Sequence, residues 1–332
     1  MSTAKKKILI TDRLSSEALL TLTQQAFFNV EKTPFPSLHD TDLNGVNGLI
    51  IRSRTLITED ILKRAKQLQV IVTATSGFDH IDLKACEKWG ITVMFTPEAN
   101  IESAAQLTWA LALACSNKLI NAGRAMKAGE WNREVLVGME LAGKTYGIVG
   151  LGRIGKRVAD FASAFKMKVL AYDPYAEDKA FYETGAERVA YEELLKRSDI
   201  VSFHVPLTKE THYMLNRSQF EYINRGIVLI NTSRGTVIKE LDLLEALDQG
   251  WVGAVGLDVF EKEPLVRTSG LLSRAQVVMT PHIGANTQEA FAKASEQAVL
   301  KVIRFFIDGS TSDTLPPKAS WYGATPPWEK ES

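Results

Sequence analysis

Cysteine is nearly missing from this chain, which holds only Cys86 and Cys115 among 332 residues. Two thiols cannot build a disulfide framework or, alone, a cysteine zinc site, and no metal is expected; such scarcity suits a reducing compartment. Net charge is also missing, with 39 Lys+Arg against 39 Asp+Glu. That balance gives no electrostatic case for nucleic acid or for an anionic membrane surface, and neither is expected as a partner. No long apolar run exists either. The most apolar helical stretch, residues 104–115, is too short to span a bilayer and carries Gln106. The N-terminal MSTAKKKILITD has a basic run, but its apolar stretch stops at Asp12, short of the core of a secretory signal. The cytoplasm is the expected compartment. Short-period repeats and low-complexity segments are lacking too.

What is present is ordinary globular material: 45% hydrophobic and 23% charged residues, enough for about two domains with sizeable cores. Short apolar runs at 7–12, 48–52, 68–74 and 90–95 read as strands, separated by helical stretches at 15–25, 58–67 and 82–89. The alternation restarts near residue 143, with strands expected at 144–149, 168–172, 200–205, 227–231, 254–257 and 277–280. Alternating strands and helices predict an α/β fold of two doubly wound parallel-sheet domains. Between them, residues 101–126 predict one long core or interface helix, and 288–306 a helix able to return the chain to the first domain. The tail from 316 to 332 is rich in proline and carries Trp321, Tyr322 and Trp328, which favour packing over disorder.

Gly150-Leu151-Gly152-Arg153-Ile154-Gly155 follows one predicted strand and opens a helix, and the next strand ends in Asp173. A lone GxGxxG is weak, but this context is what dinucleotide binding requires. Gly150 permits the tight turn, Gly152 lets the backbone approach a pyrophosphate, and Gly155 lets helix and strand touch. The helix N-terminus then offers free N–H groups to the phosphates. Asp173 can accept hydrogen bonds from the adenine-ribose hydroxyls and would repel a 2′-phosphate, which predicts NAD as the cofactor.

Three more segments end predicted strands of the same domain: 231–237 with Arg234, 257–264 with Glu263, and 280–285 with His282. Ligands bind at that edge of an open α/β sheet. Oxidising a 2-hydroxy acid needs a cation to hold the carboxylate, a base to take the hydroxyl proton and an acid to orient the base. Arginine, histidine and glutamate are suited to these tasks. Taken singly, Arg234 could be a surface ion-pair partner, Glu263 a loop acid and His282 a strand-end histidine. His39, His80, His204 and His212 lack such company and read as structural or solvated.

With its GLGRIG, HVPL, NTSRGTV, LDVFEKEP and TPHIGANTQEA motifs, the chain from about residue 7 to 308 resembles the D-isomer-specific 2-hydroxyacid dehydrogenases, most of all their phosphoglycerate-oxidising members. The resemblance implies a Rossmann NAD-binding domain, residues 101–286, inserted into a flavodoxin-like substrate domain made of 1–100 and 287–332. It implies the roles given above for Arg234, Glu263 and His282. It also implies that Arg153, Ile154, Asp173, Val205, Pro206, Thr232, Ser233, Asp258 and Gly284 line the NAD site, that Ser76-Gly77 and Arg52 face the substrate, and that the chain dimerises through the helix near 101–126. The implied reaction is oxidation of D-3-phosphoglycerate to 3-phosphohydroxypyruvate; alternatives are reduction of glyoxylate, hydroxypyruvate or another 2-keto acid, and an NAD-sensing co-regulator built on the same fold.

Some positions depart from the family. Gln106 stands where glutamate is common, and Thr73 and Thr75 where some phosphoglycerate-oxidising members have arginine and glycine. Ser76 replaces the lysine of phosphite-oxidising relatives. Against the threonines, Arg52 and Arg54 supply two cations able to meet a phosphate, and Gly129 to Arg133 could add another across a dimer interface. With the sequence ending at Ser332, no serine-feedback module is expected.

Overall fold

Strands without a polar face must be covered on both sides, and Val70–Thr73, buried at every position, is such a strand. The structure, a computed structural model, describes residues 5–34, 36–318 and 322. The chain divides into two units: Met1–Asn100 with Asn286–Tyr322, and Ile101–Ala285.

In the first unit β1 (Lys6–Ile10), β2 (Phe28–Lys32), β3 (Val46–Ile51), β4 (Val70–Thr73) and β5 (Thr92–Phe95) run parallel in the order β5-β4-β3-β1-β2, and Thr314–Leu315 adds an antiparallel edge to β5. Helices α1 (Ser16–Thr23), α2 (Glu59–Arg64) and α3 (Leu83–Lys88) connect them. Ser15 and Asp82 cap α1 and α3 by accepting from Ala18 N–H and Ala85 N–H. The helix Gln288–Asp308 starts at a Thr287 cap, ends on Gly309 in the left-handed region, and buries Ala294, Ala298, Val299 and Val302 with Ile8, Ile10, Val70 and Val72. Strand order reverses between β1 and β3, so the loops carrying Asp12, Arg13, Arg52 and Arg54 meet at one edge.

The second unit opens with α4 (Ile101–Ser116) and α5 (Leu119–Lys127). The single helix expected over 101–126 is thus broken. Lys118 takes φ 51°, its N–H closing on the Cys115 carbonyl, and a left-handed residue ends an α-helix. Then β6 (Thr145–Val149), α6 (Arg153–Ala164), β7 (Lys168–Tyr172), β8 (Glu187–Arg188), β9 (Ile200–Phe203), β10 (Ile227–Asn231), β11 (Val252–Leu257) and β12 (Val277–Met279) build a parallel sheet ordered β12-β11-β10-β9-β6-β7-β8. Its reversal lies between β6 and β9, where the glycine-rich turn begins. Of the aromatic tail, Trp321 and Trp328 lie outside the described residues; the Tyr322 ring lies 6.5 Å from that of Phe78.

Candidate active site

The turn after β6 is shaped by its glycines. Gly150 has φ 95°, and a β-carbon there would lie 2.8 Å from the His204 carbonyl oxygen; one at Gly155 would lie 2.1 Å from the Gly150 oxygen. Only glycine permits such approaches. Gly152 is different: a β-carbon would meet nothing within 4 Å, so the turn leaves an open cradle. Gly152 also caps α6 with no side-chain acceptor, leaving the first-turn N–H groups, with Arg153 and Ile154, facing this cradle's helix end. These features fit a pyrophosphate.

Asp173 is tied into the same turn. Its Oδ2 accepts from Leu151 N–H at 2.8 Å and its Oδ1 from Tyr175 and Ala176 N–H at 2.9 and 3.1 Å. Val205 and Pro206 follow β9 on the other side of β6. His204, ahead of them, is pushed down to about 3 by burial and bonds Ser202 Oγ at 2.8 Å, so it is neutral. His80 bonds Thr73 Oγ1 at 3.1 Å, and His39 pairs with Asp40 on the surface.

Arg234, Glu263 and His282 sit on loops after β10, β11 and β12. The structure brings them together. His282 Nδ1 donates to Glu263 Oε2 at 2.7 Å, with the two side chains 49% and 36% exposed, so the ring opens to solvent. The Glu263 bond raises the His282 pKa, burial and the Arg234 charge oppose it, and the net direction is up. Burial alone would raise Glu263, but the bond and charge of His282, Phe260 N–H and Arg234 carry it below its ordinary value. Both shifts describe a proton held between a charged acid and a base.

Several supports were not foreseen. Asp258 is buried, and its carboxylate accepts from Thr280 Oγ1, Ile283 N–H and Gly284 N–H at 2.7, 2.8 and 2.9 Å, which anchors the loop bearing His282. His282 itself has φ 53°. Asn231 ties the Arg234 loop, donating to the Arg234 carbonyl and accepting from Ser233 Oγ, while Thr232 bonds Thr108. Glu240 and Glu261 accept each other's backbone N–H at 2.6 and 2.8 Å and stitch the second loop to the first. Their acidic types gave no sign of it, because either residue reads as a solvated charge.

In the first unit, Arg52 is held against the Phe291 ring at 5.0 Å, and its buried Nη1 has no hydrogen-bond partner among the described residues. Arg54 forks onto Asp12 at 2.6 and 3.0 Å. Thr75 Oγ1 donates to the Gly77 carbonyl and bonds Thr73, which draws in the turn bearing Ser76. Among the described residues no cluster of His, Cys, Asp and Glu could hold a metal, and no helix is long and apolar enough to cross a membrane.

Residues 109–284 match the profile of the D-isomer specific 2-hydroxyacid dehydrogenase, NAD binding domain. D-3-phosphoglycerate dehydrogenase of Bacillus subtilis is 37% identical over 299 residues, 90% of this chain but 57% of that protein. The chain therefore spans little more than half of that relative. Hydroxypyruvate reductase of Thermotoga maritima is 38% identical over 310 residues, 91% of this chain and 98% of that protein. The structure of Aquifex aeolicus D-lactate dehydrogenase complexed with NAD and lactic acid superposes with TM-score 0.81 at 31% identity, covering 91% of this chain and 96% of that one.

Proposed function

We propose that this chain, which belongs to the D-isomer specific 2-hydroxyacid dehydrogenases, is an NAD-dependent oxidoreductase of 2-hydroxy acids with Arg234, Glu263 and His282 as its catalytic residues. The observation that carries the reading is the 2.7 Å His282–Glu263 pair on neighbouring strand-end loops of the sheet that bears the glycine-rich turn. When bound, the nicotinamide supplies the hydride acceptor. Arg234 holds the substrate carboxylate, His282 Nε2 takes the hydroxyl proton, and Glu263 keeps Nδ1 protonated and the ring oriented. The first unit is the proposed substrate domain, with Arg52 and the Ser76-Gly77 turn as its proposed substrate contacts.

For the acid itself, D-3-phosphoglycerate is supported by the similarity to the Bacillus protein and by the buried Arg52 nitrogen, which has no hydrogen-bond partner among the described residues. One observation favours a second reading, an unphosphorylated 2-keto acid such as hydroxypyruvate: Arg54, the other cation, is already forked onto Asp12. An NADH- and NAD-linked assay over 2-keto and 2-hydroxy acids, with and without phosphate, decides between them. No turnover on any would overturn the enzymatic reading and favour a co-regulator.

The raised His282 pKa makes a pH prediction. Oxidation needs neutral His282, so its rate should rise with pH through that pKa; reduction needs the charged ring and should fall over the same range. Glu263→Gln removes the cause of the raised pKa, so both limbs should move to lower pH, with a lower kcat. A pH–rate profile that keeps its limbs in place would remove Glu263 from this role.

A second copy is the proposed partner. Leu119, Met126, Trp131, Val135 and Val137 are 56–75% exposed on α5 and the segment after it, a run of apolar side chains few monomers leave uncovered. Trp131→Asp should convert a dimer to a monomer in light scattering; a parent protein already monomeric at micromolar concentration would refute the dimer. The cytoplasm remains the proposed compartment, since both cysteines are free and buried, with thiols pushed up to about 12 by burial.

A further inference from the structure

Strands β7 and β9 flank β6, so the turns that follow them face each other across the end of β6 where the glycine-rich turn begins. A side-chain bond crosses that gap. The Tyr175 hydroxyl, on the turn after β7, lies 2.7 and 2.6 Å from the two carboxylate oxygens of Glu210, on the turn after β9. The Glu210 turn is itself rigid: Thr211 Oγ1 donates to the Pro206 carbonyl and accepts from Thr208 N–H, and His212 N–H closes on the Thr208 carbonyl. Tyr175 N–H is at the same time a donor to Asp173. A second carboxylate is thereby held at the hydroxyl end of the residue whose backbone N–H meets the acid proposed to face the adenine ribose. Both carboxylates act on the same phenols. Burial, then the Glu210 bond and charge, then Asp173 push Tyr175 up to about 12, and Tyr172 is raised by burial and by both acids.

We propose that Glu210, held in place by Tyr175, is a second charge selector for the cofactor, acting with Asp173 to exclude a dinucleotide that carries a 2′-phosphate. The proposal rests on the NAD reading above. A 2′-phosphate brings nearly two negative charges at neutral pH. Removing Asp173 alone would leave a fixed carboxylate on the facing turn, still opposing it. Glu210 is partly exposed, so its effect is electrostatic and weakens with salt.

The test is calorimetric titration of NAD and of NADP into the parent, Asp173→Ser, Glu210→Gln, the double variant and Tyr175→Phe. Glutamine keeps a hydrogen-bond acceptor for Tyr175 while removing the charge. Glu210→Gln should improve the ratio of NADP to NAD affinity about tenfold in either background, and the gain should shrink as salt rises from low to about 0.5 M. Tyr175→Phe, which frees the carboxylate, should give a smaller gain. Equal changes in both affinities, or a salt-independent change, would overturn the proposal and leave Glu210 a purely structural residue. A parent that binds neither dinucleotide would overturn the NAD reading and this inference with it; a parent that binds NAD with no effect of Glu210→Gln overturns this inference alone.

Discussion

Replacing His282 with alanine should lower turnover by about 10²–10⁴-fold while NAD affinity stays within about threefold, because positioned general-base catalysis is of that size. Glu263 already occupies Nδ1, which leaves Nε2 as the free nitrogen of a ring that is half exposed. The other histidines do not replace it: His204 is buried and pushed down to about 3, and His80 bonds Thr73. Loss of the ring leaves Glu263 able to take up water, since it too is partly exposed, so the loop should survive. The backbone at 282 is left-handed, which alanine adopts at some cost. His282→Asn is therefore the companion variant, as asparagine tolerates that conformation and offers no base. Stopped-flow hydride transfer and NAD titration by tryptophan fluorescence check both variants. Parallel loss of binding and turnover would show that His282 supports the fold rather than the reaction.

Gly235→Ala should be nearly as damaging without touching a reacting group. A β-carbon at 235 would lie 1.9 Å from the Phe260 carbonyl carbon and 2.5 Å from Glu261 N, all backbone atoms that cannot turn aside. The loop after β11 must therefore move. That loop carries Glu263, whose Oε1 accepts from Phe260 N–H at 3.1 Å, and it is stitched to the Arg234 loop by Glu240 and Glu261. Displacement by an ångström should loosen the Glu263–His282 bond, and misplacement of that size costs about 100-fold. We expect kcat down about 100-fold or more, a lowered Tm, and a His282-dependent pH limb shifted toward the ordinary histidine range. Normal kcat with a normal Tm would mean the loops slide past one another freely.

Much of the fold was legible because α/β architecture repeats a local pattern. Apolar runs such as Val70–Thr73 have no solvent face, and capped amphipathic stretches follow them. What escaped was local structure set by context. Phe28–Lys32 is a strand despite Glu31 and Lys32, since an edge strand leaves most of its side chains in solvent. The break at Lys118 escaped as well, because lysine is an ordinary helix former and nothing at that position announces a left-handed residue.

By itself the sequence determined a glycine-rich turn suited to a dinucleotide, an acid at the end of the next strand, and an arginine, a glutamate and a histidine on strand-end loops. These are readable because strand, turn and helix are encoded by neighbours along the chain. Only the tertiary structure decided which acid serves which partner. Asp258 anchors the histidine loop, Asp12 takes Arg54, and Glu210 meets Tyr175 across the end of β6, whereas the Glu263–His282 pair, nineteen residues apart, was already expected from the residue types on the strand-end loops. A carboxylate carries the same charge wherever it stands in the chain. Its role follows from the donors that folding brings within about 3 Å, and those come from distant segments.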